Sequence, residues 1–559
     1  MSAQDSTVRT RRPDLLQDTI ARLSLLFRLE KNILAILASY SVAIGLFSLI
    51  VPLTVQELVN TFAFAIQPVM IVTLAGIMAM TLVGIGAFRV LQSRATDYLA
   101  QRLYARIAVA LTHDLPRFRE ETFNPKYINY FNEAEFLPRA LVATLVDVMN
   151  VAVGGAIGMT ILVLYHPYFL AYNTLLVAGF LLVIVTLGQG GYKITRTVSQ
   201  LHYNTLSWLQ DIGHNLPHFK ATSSTPLLLR KTDELVKEYV TARQTRSDIL
   251  SGMQYKGAVM FQAFGHSGLL ATAGWLLAMG DLTLGQFVAA EVIVGALIIN
   301  LDTIAKRMYA IYYVFTSLEE LDTLFALPKD VEAGKLTVPL PDTTIHGVRI
   351  TCKDVAFAYP NSAPVFQSFN LEVTPGEKIA IFSNTTSGKT TLARVLAGLY
   401  RPTAGVIRYN GVDLRDLDMD SINGCRGVIL DSQLSLFEGS LEENITMGRP
   451  SIEYTDVQWA LRFVELEEEV DAMPMGLQTP VMARGKNFTT SQILRILVAR
   501  AVVTRPQLLI LDGTLHSMQP TTREIILRRL CSKEEPWSAI FVSNDPSLKT
   551  HVDRRLVLD

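Results

Sequence analysis

Cysteine and charge are both scarce in this sequence. Its three cysteines, Cys352, Cys425 and Cys531, lack the paired spacing of a metal site, so we expect reduced, buried or idle thiols. Charged residues make up 18% of the 559 residues, and the formal net charge is -1. Because this balance gives no overall basic field, nucleic acid is excluded as an expected partner. Residues 1–13 contain arginines but no apolar core, so no cleaved signal peptide is predicted there.

Hydrophobic residues, in contrast, make up 50% of the chain. A chain this long and this apolar predicts a membrane part joined to a soluble part. Six apolar stretches are long enough to cross about 30 Å of hydrocarbon. They are Ile33–Val51, Val69–Phe88, Leu141–Leu164, Phe169–Leu187, Ala258–Met279 and Phe287–Ile311.

The distribution of basic residues predicts the orientation of these spans. The three short connections contain no Lys or Arg, whereas the N-terminal arm and the two long loops are rich in both. By the positive-inside rule, both termini and both long loops are cytoplasmic. A soluble bundle of apolar helices would not segregate charge in this way, so we predict an integral membrane protein.

The pattern changes after Phe325. A linker containing Pro and Asp leads into short β-rich runs that alternate with helices in the α/β manner. We expect a domain boundary near residue 335. Residues 1–335 would form a transmembrane domain with an N-terminal elbow and two long cytoplasmic loops, and residues 336–559 an α/β domain.

The α/β domain contains a phosphate-binding loop at residues 383–390, which read SNTTSGKT. In the pattern G-x-x-x-x-G-K-[ST], backbone N–H groups surround phosphates, the lysine reaches the terminal phosphates and the hydroxyl binds magnesium. Gly388, Lys389 and Thr390 match the second half of this pattern. Ser383 replaces the leading glycine, and we expect its side chain to hinder close approach of the backbone to phosphate.

Further motifs in the same order resemble those of ABC transporters. Tyr359 stands where that family stacks an aromatic ring on adenine, Phe488–Gln492 is similar to its signature motif, and an apolar strand ends at Asp512. With six spans in front, the chain resembles an ABC exporter half-transporter. The resemblance implies an α-helical six-span transmembrane domain followed by an α/β P-loop (ABC-type) nucleotide-binding domain. It also implies a homodimer or heterodimer. We expect a bacterial inner membrane, and an organelle membrane is the alternative.

The resemblance assigns ligands as well as fold. Magnesium would be held by Thr390 and Asp512. Nucleotide would be held by Tyr359, Ser383, Ser387, Gly388, Lys389, Thr390 and Thr391.

The catalytic positions of the family are changed in this chain. Gly513 replaces the catalytic carboxylate and Asn544 the switch histidine, while Thr490 and Ser491 replace the signature glycines. No catalytic residue is therefore assigned, and we expect ATP and magnesium to bind weakly, with little or no hydrolysis. Another carboxylate could take over from the lost one, the candidates being Asp431, Glu443 and Asp545.

Three functions stay open. The first is an exporter-like protein with a degenerate nucleotide-binding domain, and the second is a working exporter subunit paired with an intact ABC partner. The third is an ATP-independent pore, scaffold or regulatory membrane protein. The sequence names no substrate.

Polar residues within the predicted spans are candidates for a transport pathway or for interhelical bonds. They are Asp147, Asn150, Gln262, His266, Glu291 and Asp302. Two segments of the long loops, Phe123–Phe131 and Trp208–His214, mix aromatic and polar residues. We predict that they dock on nucleotide-binding domains, as coupling helices do in the family.

Overall fold

A computed structural model describes residue 28 and residues 30–62, 68–120, 123–222, 225–329, 336–339, 347–383, 388–430, 436–513, 515 and 517–558. The chain divides into two compact units. The first comprises Met1–Pro116 and Asn124–Leu327, and the second comprises Arg117–Phe123 and Pro328–Asp559. The predicted boundary at residue 335 lies outside the described residues.

The first unit is built from long helices. Apolar runs favour this structure in a membrane because a helix satisfies its own backbone hydrogen bonds. The helices are α1 (Lys31–Ser48), α2 (Ile50–Phe62), α3 (Pro68–Asp114), α4 (Glu133–Tyr165), α5 (Tyr168–Leu187), α6 (Gly191–His214), α7 (Leu216–Ala221), α8 (Thr225–Ser251), α9 (Ala258–Met279) and α10 (Leu284–Phe325). Shorter 3-10 segments span Leu115–Arg117 and Pro125–Asn132, and a π-helical turn spans Gly252–Gly257.

Within the described residues, five helical segments are long and apolar enough to cross a membrane. They are Lys31–Thr61, Pro68–Arg117, Pro125–Tyr165, Tyr168–Thr186 and Leu284–Phe325, and they overlap five of the predicted spans. The remaining predicted span forms α9 with the predicted bounds. It is not among the five because polar residues such as Gln262 and His266 lower its hydropathy. The count of six spans stays a prediction.

Several apolar clusters pack the described helices of the first unit together, and two of them bear on the cavity described below. Helices α4, α5, α9 and α10 meet around Leu162, Phe169, Leu276 and Val294, all fully buried. Helices α1, α3 and α4 meet around a second apolar cluster that contains Leu37. These contacts fix the helices whose polar residues line the cavity described below.

The second unit contains two main sheets. The antiparallel sheet has the strand order β2-β1-β4-β5, and the parallel sheet has the order β11-β3-β10-β9-β6. The strands are β1 (Ile350–Ala358), β2 (Pro364–Val373), β3 (Lys378–Phe382), β4 (Ala404–Tyr409), β5 (Val412–Asp413), β6 (Arg426–Leu430), β7 (Gly439–Ser440), β8 (Pro480–Val481), β9 (Leu508–Asp512), β10 (Ser538–Val542) and β11 (Arg554–Val557). Strands β7 and β8 form a small pair.

The described part of the second unit also contains seven helices, of which the first, second and sixth pack directly against the parallel sheet. They are α11 (Lys389–Leu396), α12 (Met419–Cys425), α13 (Leu441–Thr446), α14 (Tyr454–Phe463), α15 (Glu467–Asp471), α16 (Thr490–Val502) and α17 (Pro520–Leu530). Every residue of β9 and β10 is buried, as expected for parallel strands covered on both faces. The predicted fold class, helical membrane region followed by α/β domain, is confirmed.

Candidate functional site

The carboxyl ends of three neighbouring parallel strands bring the predicted site residues together. Val542 at the end of β10 pairs with Ile381 of β3 on one side and with Asp512 of β9 on the other. Because the strands end at the same edge of the sheet, Ser383 and Asn544 follow next to Asp512. Such an edge is the usual ligand-binding position in an α/β sheet.

Gly388 forms the turn from the phosphate loop into α11. Its φ is +76°, and a Cβ added there would lie 2.2 Å from Val365 Cγ1. Both observations require glycine at this position. Residues 384–387, which include the predicted ligand Ser387, lie outside the described residues.

The two predicted magnesium ligands lie close to each other. Thr390 Oγ1 donates to Asp512 Oδ1 over 3.3 Å, and Asp512 is only 5% exposed. Hydroxyl and carboxylate oxygens are ligands that magnesium prefers, so this pair fits the metal. The Lys389 ammonium group donates to the backbone oxygen of Ser383 over 3.5 Å, next to the same strand ends.

Ser383 and Asn544, two positions that depart from the family pattern, are bonded to each other. The Ser383 backbone N–H donates to Asn544 Oδ1 over 3.0 Å. A side-chain amide carries no charge, so Asn544 cannot supply the cation that a protonated histidine would. This contact was not foreseen, because 161 positions separate the two residues.

Tyr359 is held by neighbours that the sequence did not reveal. Its hydroxyl and Thr391 Oγ1 are 3.0 Å apart, and Thr391 is buried. Its ring meets those of Phe357 and Tyr400 edge to face, with centroids 5.1 and 6.1 Å away. Burial and the nearby Glu120 carboxylate raise the pKa of Tyr400 to about 12, so this phenol stays neutral. Predicted nucleotide ligands Tyr359 and Thr391 therefore bond to each other.

Gly513 lacks the side chain of the family pattern and also has a backbone conformation that is unusual for other residues. Its φ is +128°, which L side chains rarely adopt, and its N–H donates to the Val542 oxygen over 3.2 Å. The backbone immediately after Asp512 is therefore in a conformation suited to glycine.

The segment that resembles the signature motif caps α16. Gln492 N–H donates to Thr489 Oγ1 over 3.2 Å, and Thr489 N–H donates to Gln492 Oε1 over 2.9 Å. This reciprocal pair is a capping box, which satisfies backbone donors at a helix start. Gln492 Nε2 also donates to Glu469 Oε2 over 2.8 Å. The start of the helix is thus well formed even though the glycines are replaced.

Two of the three carboxylates considered as replacements for the catalytic one accept backbone hydrogen bonds. Glu443 accepts the Ser440 N–H over 2.7 Å in the capping box of α13. Asp545 is buried and accepts the Ser547 N–H over 2.9 Å at the start of a 3-10 turn. These bonds give both side chains a structural role. Asp431 lies outside the described residues.

Comparison with known proteins identifies the second unit. Residues 366–516 match the ABC transporter family. Over 95% of its length the chain also matches a solved structure of a bacterial Atm1-family ABC exporter with ATP bound, with a TM-score of 0.83, 17% identity and 94% of that chain covered. The chain has the fold of an ABC exporter. Its membrane helices and ABC-type domain confirm the predicted integral membrane protein.

Three curated relatives align with this chain over only part of their own length. A multidrug efflux ATP-binding/permease protein of Mycobacterium tuberculosis is 30% identical over 53% of this chain and 24% of its own. A fatty acid ABC transporter ATP-binding/permease protein of Mycobacterium bovis is 28% identical, over 56% and 48%. An exotoxin translocation ATP-binding protein of Pasteurella aerogenes is 27% identical, over 61% and 47%. The chain spans about half or less of the length of these relatives.

The two predicted coupling segments contact each other within the first unit. Asn129 and Gln210 exchange side-chain amide bonds of 3.0 and 2.8 Å, and Lys126 lies 3.2 Å from Asp211. Trp208 is buried and donates to Thr232 Oγ1 over 3.0 Å. Helix α8 covers this tryptophan, because Thr232 and Lys231 of α8 both contact its ring system. Docking of these segments on a nucleotide-binding domain stays a prediction.

Most of the polar residues predicted within the spans form ion pairs or hydrogen bonds. His266 Nδ1 lies 2.8 Å from Glu291 Oε1 and links α9 to α10, which supports the interhelical bond considered for this histidine. Asp302 pairs with Lys306 one turn away. Asp147 and Asn150 are also bonded to other side chains, and both line a cavity that is described below.

Proposed function

We propose that this protein is an ABC exporter-like membrane protein that binds ATP and magnesium weakly and hydrolyses ATP little or not at all. The observation that carries this proposal is Gly513, which follows Asp512 where the family has a carboxylate. General-base assistance is worth about 10²–10⁴ in rate. Without that group, the site can hold phosphate but activates water poorly.

Surviving ligands support the nucleotide-binding half of the proposal. Lys389 would contact the terminal phosphates, and the adjacent Thr390 and Asp512 oxygens would hold magnesium, whose charge offsets that of the phosphates when bound. Adenine stacking on Tyr359 is less well supported than phosphate and magnesium binding. It already bonds Thr391 and packs on two rings, which limits its freedom to stack on a base.

The departures from the family pattern affect both surfaces of the domain. In the family, each nucleotide lies between the phosphate loop of one subunit and the signature motif of the other. Here Ser383 and Gly513 alter the first surface, and Phe488–Gln492 alters the second. An intact partner would complete neither site. The proposed protein is a homodimer or heterodimer in a bacterial inner membrane, with both termini cytoplasmic.

A working exporter subunit is the second candidate. The 3.3 Å contact between Thr390 and Asp512 favours it, since the metal ligands are in place. The names of the relatives, which include multidrug efflux and exotoxin translocation, also favour it. This candidate requires an intact ABC partner, whereas the third candidate, an ATP-independent pore, scaffold or regulator, requires no nucleotide.

Nucleotide turnover and binding by the full chain in lipid nanodiscs test the proposal. Phosphate release from Mg-ATP is compared between the wild type and Lys389→Ala, with Lys353→Ala as a control for loss of an exposed lysine on β1. We expect equal background turnover in all three proteins. Binding of a fluorescent ATP analogue should be weak in the wild type and in Lys353→Ala, and absent in Lys389→Ala.

Each other result favours a different function. Turnover that Lys389→Ala abolishes would overturn the proposal and favour the exporter subunit. Absence of binding to the wild type would overturn the binding half and favour the ATP-independent alternative.

A further inference from the structure

A polar cavity of about 560 Å³ lies inside the first unit, among α1, α3, α4 and α10. Aliphatic side chains such as Ile44 and Val151 form part of its wall. Its volume falls within the range of about 300–1,000 Å³ that is typical of small-molecule sites. Polar residues in membrane helices are costly and usually face a cavity or a partner, which makes this cavity a candidate binding site.

One wall of the cavity is held in place by a hydrogen-bonded network. Gln92 of α3 and Asn150 of α4 exchange two amide bonds of 3.1 Å, and Gln92 also donates to Ser41 of α1 over 3.0 Å. Gln92 and Ser41 are buried. The network joins three helices, so interhelical hydrogen bonds hold the side chains of this polar wall in place.

One of the two charged side chains that line the cavity has an ion-pair partner among the described residues, and the other has none. Asp147 lies 2.7 Å from Arg307, so this carboxylate is neutralised by α10. Arg89 of α3 also lines the cavity with an exposed side chain, and within the described part of the chain it forms no ion pair or hydrogen bond. Asn300 adds an amide with no hydrogen bond among the described residues. The cavity therefore combines an uncompensated guanidinium and an amide donor with an aliphatic wall.

We propose that this cavity binds a small amphipathic organic anion whose acidic group pairs with Arg89. A guanidinium group matches the geometry of a carboxylate, sulfonate or phosphate ester and binds it through two parallel N–H bonds. The amide of Asn300 would donate to a polar group of the ligand, and the aliphatic wall would cover its apolar part. Binding here does not require nucleotide, so this proposal and the proposed function fail separately.

Binding of a matched pair of probes tests the charge preference. Dansylglycine carries a carboxylate, and dansylglycinamide is its neutral analogue. Fluorescence titration of the full chain in phosphatidylcholine nanodiscs, without ATP, should show at least about tenfold tighter binding of the acid, because hydrogen bonds to charged groups are the stronger ones. Arg89→Gln should abolish this preference and leave dansylglycinamide binding unchanged.

Arg94→Gln is the matched control, because Arg94 is an exposed arginine of the same helix outside the cavity lining. It should keep the preference for the acid. The proposal is overturned if the wild type does not bind dansylglycine saturably, if it binds both probes equally, or if Arg94→Gln loses the preference as Arg89→Gln does. If Arg89→Gln binds neither probe, Arg89→Lys decides: a retained preference supports the proposal and a lost one overturns it.

A second titration identifies the source of the anion. Phosphatidylglycerol added to the nanodiscs would compete with dansylglycine if a lipid headgroup occupies the cavity. Unchanged affinity would identify a soluble organic anion instead. Both results support the same anion chemistry at Arg89, because each depends on saturable binding in the wild type.

Discussion

Gly388 and Gly411 both have positive φ, but their surroundings differ. Gly388 has a φ of +76° and would place a Cβ 2.2 Å from Val365, whereas Gly411 has a φ of +86° and open space around it. Replacement of each by alanine therefore separates backbone strain from steric overlap.

We expect Gly388→Ala to be the more destabilising of the two replacements. Gly411→Ala should cost about 1–2 kcal/mol, because a left-handed backbone disfavours a Cβ. Gly388→Ala should cost roughly 1–3 kcal/mol more, because Val365 must move. Thermal unfolding of the full chain measures both, and equal losses would contradict the steric argument.

The three thiols should react slowly in the native protein. Burial raises the pKa of Cys352 and Cys531 to about 12 each, and that of Cys425 to about 11. Since the thiolate is the reactive form, roughly one thiol in ten thousand is reactive at pH 8 when the pKa is 12. While the pH is below the pKa, the rate of maleimide labelling should rise about tenfold for each unit by which the pH is raised. Labelling should become fast after unfolding, where thiol pKa values return to about 8.5. Rapid, complete labelling of the native chain at neutral pH would contradict the raised thiol pKa values.

At the scale of helices, one buried carboxylate joins three elements of the first unit. Glu133 at the start of α4 accepts the hydroxyl of Tyr203 from α6 over 2.7 Å, and also that of Ser317 from α10. Its side chain is only 5% exposed. Loss of the carboxylate would leave two buried hydroxyl groups without this acceptor.

Glu133→Ala should lower the free energy of unfolding by about 2–4 kcal/mol, because unsatisfied buried polar groups cost about 1–3 kcal/mol each. Glu133→Gln keeps an acceptor and should cost less. Glu135→Ala is the control on the same helix turn, since Glu135 is 57% exposed and pairs with Arg139 over 3.6 Å. Exposed pairs contribute about 0–1 kcal/mol, so this change should be nearly silent in thermal unfolding. Comparable losses for Glu133→Ala and Glu135→Ala would show that the buried bonds contribute little.

At the scale of the whole molecule, restoring one group should not restore hydrolysis. Gly513→Glu supplies a carboxylate, but its side chain must occupy a backbone with a φ of +128°. The other departures, Ser383, Asn544 and the segment Phe488–Gln492, remain and belong to both surfaces of a composite site. We expect phosphate release to stay at the background of Lys389→Ala. A large gain in turnover from this single change would mean that the remaining motifs are functional.

The sequence by itself determined the local structure and the architecture. Long apolar runs predicted the membrane helices, since a spanning segment must bond its own backbone, and the apolar run that ends at Asp512 predicted β9. The phosphate loop pattern placed Lys389 and Thr390 at the start of α11. These properties depend on neighbouring residues, so a linear pattern contains them.

Only the tertiary structure decided which distant residues meet. The bond between Ser383 and Asn544, that between Tyr359 and Thr391, and the cavity containing Arg89 join segments far apart in the chain. The burial of Trp208 under α8 belongs to the same class. Such contacts depend on how strands and helices pack, and packing is set by the shapes of all the side chains together rather than by any single motif.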